Sequence, residues 1–396
     1  MNAVKPANYT KVKVRELQRT LYLAAKANAK RRFHALYDKV YRSDVMWEAW
    51  KRVKANRGSA GVDGVTIDHI VREYGEVKFV WETQQQLIED TYRPKPVRRK
   101  DIPKGDGKTR PLGIPAVADR ALQRCTTDVL AAIYEQDFLN CSFGGRPGRG
   151  QHNALATLNE VIGGKKVGWV LEADLKNFFG SLDHEWMMKF VEHRVGDPRI
   201  LCLIRRWLKV GVLEDGVITA SEEGTPQGGS ISVLLSNLYL HYVLDLWFEK
   251  AIKPRLQGEA YLIRYIDDFV VCFQYRRDAI RFQEALRKRL NKFKLELEPS
   301  KTRLIEFGRF ASKYAQVRGR KNPETLYFLG FTHYCTRNRQ GNFMVGRKTE
   351  RQRLKRSIGK VQETMRKTDT SRWRSKPGKS TRYFRDTTPI TGWPVT

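Results

Sequence analysis

The stretch Tyr261-Leu-Ile-Arg-Tyr-Ile-Asp-Asp-Phe-Val-Val-Cys-Phe273 sets two apolar, β-prone runs on either side of the pair Asp267-Asp268. Such runs around a short polar bend read as a strand–turn–strand hairpin. After it, Phe282, Leu286, Leu290 and Phe293 recur at helical spacing, and a further short strand is expected near 302–307. Before it, Trp169-Val-Leu-Glu-Ala-Asp174 is strand-like, and 184–210 is mainly helical. Gly224-Thr-Pro-Gln-Gly-Gly229 reads as a loop opening a helix, with Ser230 as its N-cap and Ile231, Leu235, Leu238, Tyr242 and Leu246 on one face. Strand, helix, strand, strand, helix, strand is the ferredoxin-like split βαβ order, here with an insertion after the first strand. The fold class is therefore α+β.

Residues 11–56 read as helical, with Leu17, Leu21, Ala24 and Ala25 on one apolar stripe and Trp47, Trp50 and Val53 on another. A glycine-rich loop at 57–64 and a helix over roughly 80–90 follow. The segment 94–115 is rich in Pro, Gly, Lys and Arg, and its Lys104-Gly-Asp-Gly-Lys108 has the chemistry of a hairpin turn. A helix with Leu122, Val129 and Ile133 inward leads to a second basic, Gly-rich loop, Ser142–Gly150. Beyond Phe331 come short strands, then a very basic helix from about Thr349 to Lys367. The remainder, 368–396, has no apolar period and reads as a basic, disordered tail.

The chain has 396 residues, 41% hydrophobic and 30% charged, a globular composition with room for two or three domains. Lys and Arg number 74 against 43 Asp and Glu, a formal net charge of +31. A surplus that size repels itself unless a polyanion neutralises it, so nucleic acid is the expected partner, with a basic surface kept for solubility as the plainer alternative. The five cysteines are far apart and form no C-x-x-C pair, which argues against a zinc ribbon or disulfide framework and fits a reducing compartment. No signal core or membrane-length apolar run is present, so a cytoplasmic location is expected, with no membrane partner.

In a split βαβ sheet the first and third strands are neighbours, so Asp174 would converge on Asp267 and Asp268. Clustered carboxylates repel, and two Mg²⁺ ions would relieve that repulsion while organising phosphoryl transfer. The plainer reading of Asp-Asp is a solvated turn.

The ordered series of motifs resembles the reverse transcriptases of bacterial group II introns and their intron-less relatives. It runs through Arg32-Phe-His-Ala-Leu-Tyr-Asp38, Gly61-Val-Asp-Gly64, Arg110-Pro-Leu-Gly-Ile-Pro115 and Arg146-Pro-Gly-Arg149. It continues with Asp174-Leu-Lys-Asn-Phe-Phe179, Gly224–Gly229, Tyr265-Ile-Asp-Asp268, Lys301-Thr-Arg-Leu-Ile305 and Phe328-Leu-Gly-Phe331, covering roughly 10–350. The resemblance implies a right-hand polymerase: an N-terminal extension and fingers over 1–165, a ferredoxin-like palm over 166–345, and a short, truncated thumb helix over 346–367. By the same resemblance Asp174, Asp267 and Asp268 hold Mg²⁺, which Mn²⁺ can replace, and Lys301 is a general acid near the leaving pyrophosphate. Phe179 screens the sugar of the incoming dNTP, Gln227 touches that nucleotide, and Lys104 and Arg110 hold its triphosphate. Arg146 and Arg149 contact template phosphates, and Leu329-Gly330 supports the primer end. Each has a plainer reading as well: core packing for Phe179, ordinary solvent-facing side chains for Gln227 and Lys301, simple turns for the glycine loops, and a solvated loop for the two arginines. The implied partners are an RNA template, a DNA primer, dNTPs and a group II intron RNA.

Several departures bear on that expectation. Intron-encoded relatives usually carry Ala where this chain has Ile266, and Ile there resembles free-standing relatives for which a host repair role is proposed. Gly180 and Val233 replace the usual Asp and Pro without removing a metal ligand. Relatives also continue into a longer thumb or maturase domain, and no H-N-H pattern with paired cysteines follows here. The leading expectation is an RNA-directed DNA polymerase. The alternatives are a repair polymerase acting on DNA and a maturase-like RNA-binding protein without chemistry.

Overall fold

A computed structural model describes residues 9–103, 109–214, 217–219, 223–225 and 229–367. Eleven strands are present among them: β1 Val97–Pro103, β2 Thr109–Ile114, β3 Trp169–Ala173, β4 Val212–Glu214, β5 Val217–Thr219, β6 Ala260–Tyr265, β7 Asp268–Phe273, β8 Arg303–Glu306, β9 Leu326–Phe328, β10 Phe331–Arg337 and β11 Phe343–Thr349. The central sheet runs β6-β7-β3-β8 with every neighbouring pair antiparallel. First and third strands are adjacent, as the split βαβ reading requires.

Two cores explain why this sheet sits centrally. Side chains alternate across a strand, and those of β7 feed both faces. Leu171, Ala173, Phe269, Val271 and Phe273 face one core, with the helices Val117–Tyr134, Ser232–Leu240 and Arg276–Lys292. Val170, Ile263, Val270, Cys272 and Ile305 face the other, against the helix Gln151–Gly164 and β9–β11. A strand buried on both sides reads as a continuous apolar run, which is what Phe269–Phe273 is.

The basic segment forms the hairpin β1–β2, whose turn, with Lys104, lies outside the described residues. Val97 and Arg98 also pair in parallel with β4, so the hairpin belongs to a four-stranded sheet β2-β1-β4-β5. Three-residue strands such as β4 and β5 carry too little pattern to be read from sequence. The helix expected at Ser230 begins at Ser232 instead: Ile231 is in the cap position, and the Ser232 hydroxyl is within 2.9 Å of that of Thr225. The expected tail, 368–396, lies outside the described residues. All five cysteines are free. Among the described residues no helix is long and apolar enough to cross a membrane.

The expected helical stretch over 11–56 is present but interrupted. Helices span Tyr9–Ala27 and Ser43–Ala55, and 28–36 runs between them largely as non-helical chain. Two distant residues make the break. The buried Arg194 guanidinium donates to the carbonyls of Ala25, Asn28, Ala29 and Arg31, so it satisfies the C-terminal end of the first helix. The Asp197 carboxylate accepts from the Leu36 and Tyr37 amides, each at 2.8 Å. Local periodicity cannot report a cap delivered from more than 150 residues away. Arg194→Met should therefore destabilise the protein by roughly 3 kcal/mol, since four carbonyls and the neighbouring Asp137 lose their cation. Calorimetry with limited proteolysis checks this: new cleavage within 28–36 is expected, and an unchanged melting temperature would contradict it.

Candidate active site

The hairpin β6–β7 closes through two residues, Ile266 and Asp267, because Tyr265 pairs with Asp268. Two-residue hairpins favour positive φ because it matches strand twist. Ile266 has φ 59°, a conformation a β-branched residue rarely adopts. Asp267 and Asp268 leave this bend beside the end of β3, and Asp174 follows Ala173 directly. All three line one cavity of about 790 Å³, together with Glu172, Phe179 and Lys301.

The electrostatics record how close these groups are. Burial, then the charges of Asp174 and Asp267, push the Asp268 carboxyl up to about 7, while a hydrogen bond from the Leu329 amide pulls the other way. Lys301 donates to the Asp174 carboxylate, and that bond holds its ammonium above the ordinary lysine range. Among the described residues no three acidic, His or Cys side chains are already drawn into a metal-sized cage. The donor set nevertheless fits hard divalent cations: three carboxylates facing one cavity, with repulsion for a cation to relieve and an ammonium already on one of them.

The other expected residues divide. Phe179 lines the cavity and packs edge-on against the buried Phe178, ring centroids 5.4 Å apart, so it serves the cavity wall and the core together. Leu329 and Gly330 form a turn with φ 51° and 79°, and the Leu329 carbonyl accepts from Gln151 and Arg353. A Cβ on Gly330 would fall onto the Arg353 guanidinium. The loop at 224 approaches the site through backbone: the Thr225 amide donates to the Phe179 carbonyl at 2.7 Å, and Gly224 packs on Gly180 with no room for a Cβ. Gln227 and the side chain of Arg110 lie outside the described residues, although Arg110 itself pairs with Ile102 in the basic hairpin.

Arg146 is buried, and its guanidinium is held by Glu135 and by the carbonyls of Leu139 and Ser142, so it staples its own loop. Arg149 is half-exposed and bonds both oxygens of Asn140.

Sequence reasoning missed Glu172, two residues before Asp174 and so on the same strand face, with Arg303 donating to one oxygen and the Tyr327 amide to the other. That i, i+2 spacing of acids was the available signal. It also missed Arg264, wholly buried beneath the bend, for which the sequence carries no local signal.

The raised Asp268 pKa has a signed consequence. In the unfolded chain this carboxyl titrates near 4, so between about 4 and 7 the folded protein holds the extra proton, and its metal-free stability falls as pH rises through that window. Asp268→Asn should raise the metal-free melting temperature at about pH 8 by a few degrees, and by much less at about pH 5. Equal gains at both would contradict the crowding of the carboxylates.

Comparison with known proteins accords with this geometry. The family described as reverse transcriptase (RNA-dependent DNA polymerase) matches residues 102–333. Protein YkfC of Escherichia coli K12 is 32% identical over 352 residues, 77% of this chain and 91% of that protein. The group II intron-encoded protein LtrA of Lactococcus lactis is 36% identical over 234 residues, 57% of this chain but 38% of LtrA. An uncharacterized 91 kDa protein in the cob intron of Schizosaccharomyces pombe is 33% identical over 52% of this chain and 25% of that protein. A family match across more than half the chain, with the motifs in order around one carboxylate-lined cavity, has one reading: this chain belongs to the reverse transcriptases, in their group II intron-like branch.

Proposed function

We propose that the chain extends a DNA primer on an RNA template, with Asp174, Asp267 and Asp268 holding Mg²⁺ at the end of β3 and the β6–β7 bend. The observation that carries this reading is the convergence of three carboxylates on one cavity inside a chain of net charge +31. Bound there, divalent cations supply the Lewis acidity that activates a primer hydroxyl and neutralises a leaving pyrophosphate. Each protein group then has a task. Lys301, held near Asp174 with its pKa raised, stays protonated at neutral pH and has a proton to give a leaving phosphate oxygen. The Phe179 ring walls the cavity where a 2′ hydroxyl would sit. The Leu329-Gly330 turn braces Asp268 through its amide and offers its backbone to a primer end.

On this reading 1–165 form the N-terminal extension and fingers, 166–345 the palm, and 346–367 the start of the thumb. Lys104, Arg110 and Gln227 would meet the incoming dNTP, where an arginine fork and a lysine point charge suit a triphosphate. Arg149 would meet the template backbone. A group II intron RNA is the natural further partner, since LtrA is named as intron-encoded.

Primer extension by purified protein tests the reading, with annealed RNA and DNA templates in parallel. Extension on RNA is expected, and Asp267→Asn should abolish it while salt-sensitive RNA binding survives. Extension on DNA alone would replace this reading with a repair polymerase. Phe179→Ala should lower discrimination against ribonucleotides by about tenfold or more, measured as the ratio of kcat/KM values. Unchanged discrimination would return Phe179 to a packing role.

A further inference from the structure

Beneath the acidic bend lies a buried polar network that the proposed chemistry does not use. Arg264 and Asp245 are both fully buried, with Nε 2.8 Å from Oδ1 and Nη2 2.6 Å from Oδ2. Nη1 donates to Asn237 Oδ1 and to the Ile266 carbonyl, each at 2.9 Å, and Nη2 also donates to Ser142 Oγ at 2.8 Å. These five bonds occupy all five donors of the guanidinium. A buried ion pair of this kind is a poor source of stability compared with apolar packing, so its value lies in the geometry it fixes.

That geometry closes on itself. Asn237 Nδ2 donates to the Gly144 carbonyl at 2.7 Å. Gly144 in turn receives Ile266 so closely that a Cβ there would lie 2.6 Å from Ile266 Cγ1 and 2.9 Å from its nitrogen. The ring runs from Arg264 to Ile266, from Ile266 onto Gly144, and back through Asn237. The Ile266 carbonyl shares one rigid peptide plane with the Asp267 nitrogen, so whatever holds that carbonyl sets the direction in which the acidic pair leaves the bend.

We propose that Arg264 is a positioning residue: with Asp245, Asn237 and Gly144 it clamps Ile266 in its left-handed conformation and so aims Asp267 and Asp268. The inference rests on reading those two aspartates as cation ligands. It goes further by assigning the task to residues that touch neither substrate nor cation. It also gives the β-branched Ile266 a physical consequence, since a residue that resists positive φ needs the clamp more than one that accepts it.

Arg264→Lys keeps a charge against Asp245 but has no fork to reach Ile266 as well. Well below its melting temperature it should lose kcat about tenfold or more, with dNTP KM and primer–template affinity within about twofold, because misplacing a reacting group costs rate and not binding. A double-mutant cycle separates aiming from mere folding. Asn tolerates the left-handed region, so Asn237→Ala should lower kcat about tenfold in the parent protein and less than about threefold in the I266N background. If Asn237→Ala melts below the assay temperature, Ser142→Ala, which removes one bond to the same guanidinium, takes its place in the cycle. Equal losses in both backgrounds, or an unimpaired Arg264→Lys, would overturn the clamp. Asp267→Asn distinguishes the two layers: no extension leaves the ligand assignment standing whatever the cycle reports, and surviving extension overturns the assignment and the clamp together.

Discussion

Three carboxylates pressed onto one sheet edge repel one another, and much of the surrounding architecture exists to hold them there. Asp174 is fixed because β3 lies between β7 and β8, with its side chains feeding both cores. Asp267 and Asp268 are fixed because the bend that carries them is tied from below by Arg264 and from the side by the Leu329 amide. The cost is visible in Asp268, whose carboxyl is pushed up to about 7 by its burial and its neighbours.

The same arrangement divides the labour of charge. The chain as a whole is strongly basic and so attracts polyanions over distances set by screening, whereas this one cavity gathers carboxylates. Lys301 sits at the boundary, its ammonium on Asp174 while the rest of its side chain stays largely exposed.

What could be read from the sequence follows from the range of the interactions involved. β6 and β7 were legible because their apolar runs report burial on the spot, and their neighbour β3 because strand order follows connectivity. The three catalytic candidates came with them, since Asp174, Asp267 and Asp268 sit at strand ends. The rest depends on partners that local patterning does not name. The break at 28–36 depends on Arg194 and Asp197, and the helix expected to start at Ser230 starts at Ser232, with Ile231 in the cap position and no side chain capping it. Arg146 stands in a glycine-rich basic loop of the kind that holds phosphate, yet the fold turns it inward onto Glu135. Arg264 sits in a strand where alternation gives no hint that its charge is buried, because the partners that allow it, Asp245 and Asn237, come from a different helical segment.

The central claim is that these carboxylates are a cation site under tension. Crystals grown with Mn²⁺, primer–template and a non-hydrolysable dNTP, with manganese located by its anomalous scattering, test it most directly. The account predicts manganese bound among Asp174, Asp267 and Asp268, with the Lys301 ammonium moved off Asp174. Manganese absent from this cavity, with the Lys301–Asp174 pair intact, would contradict it.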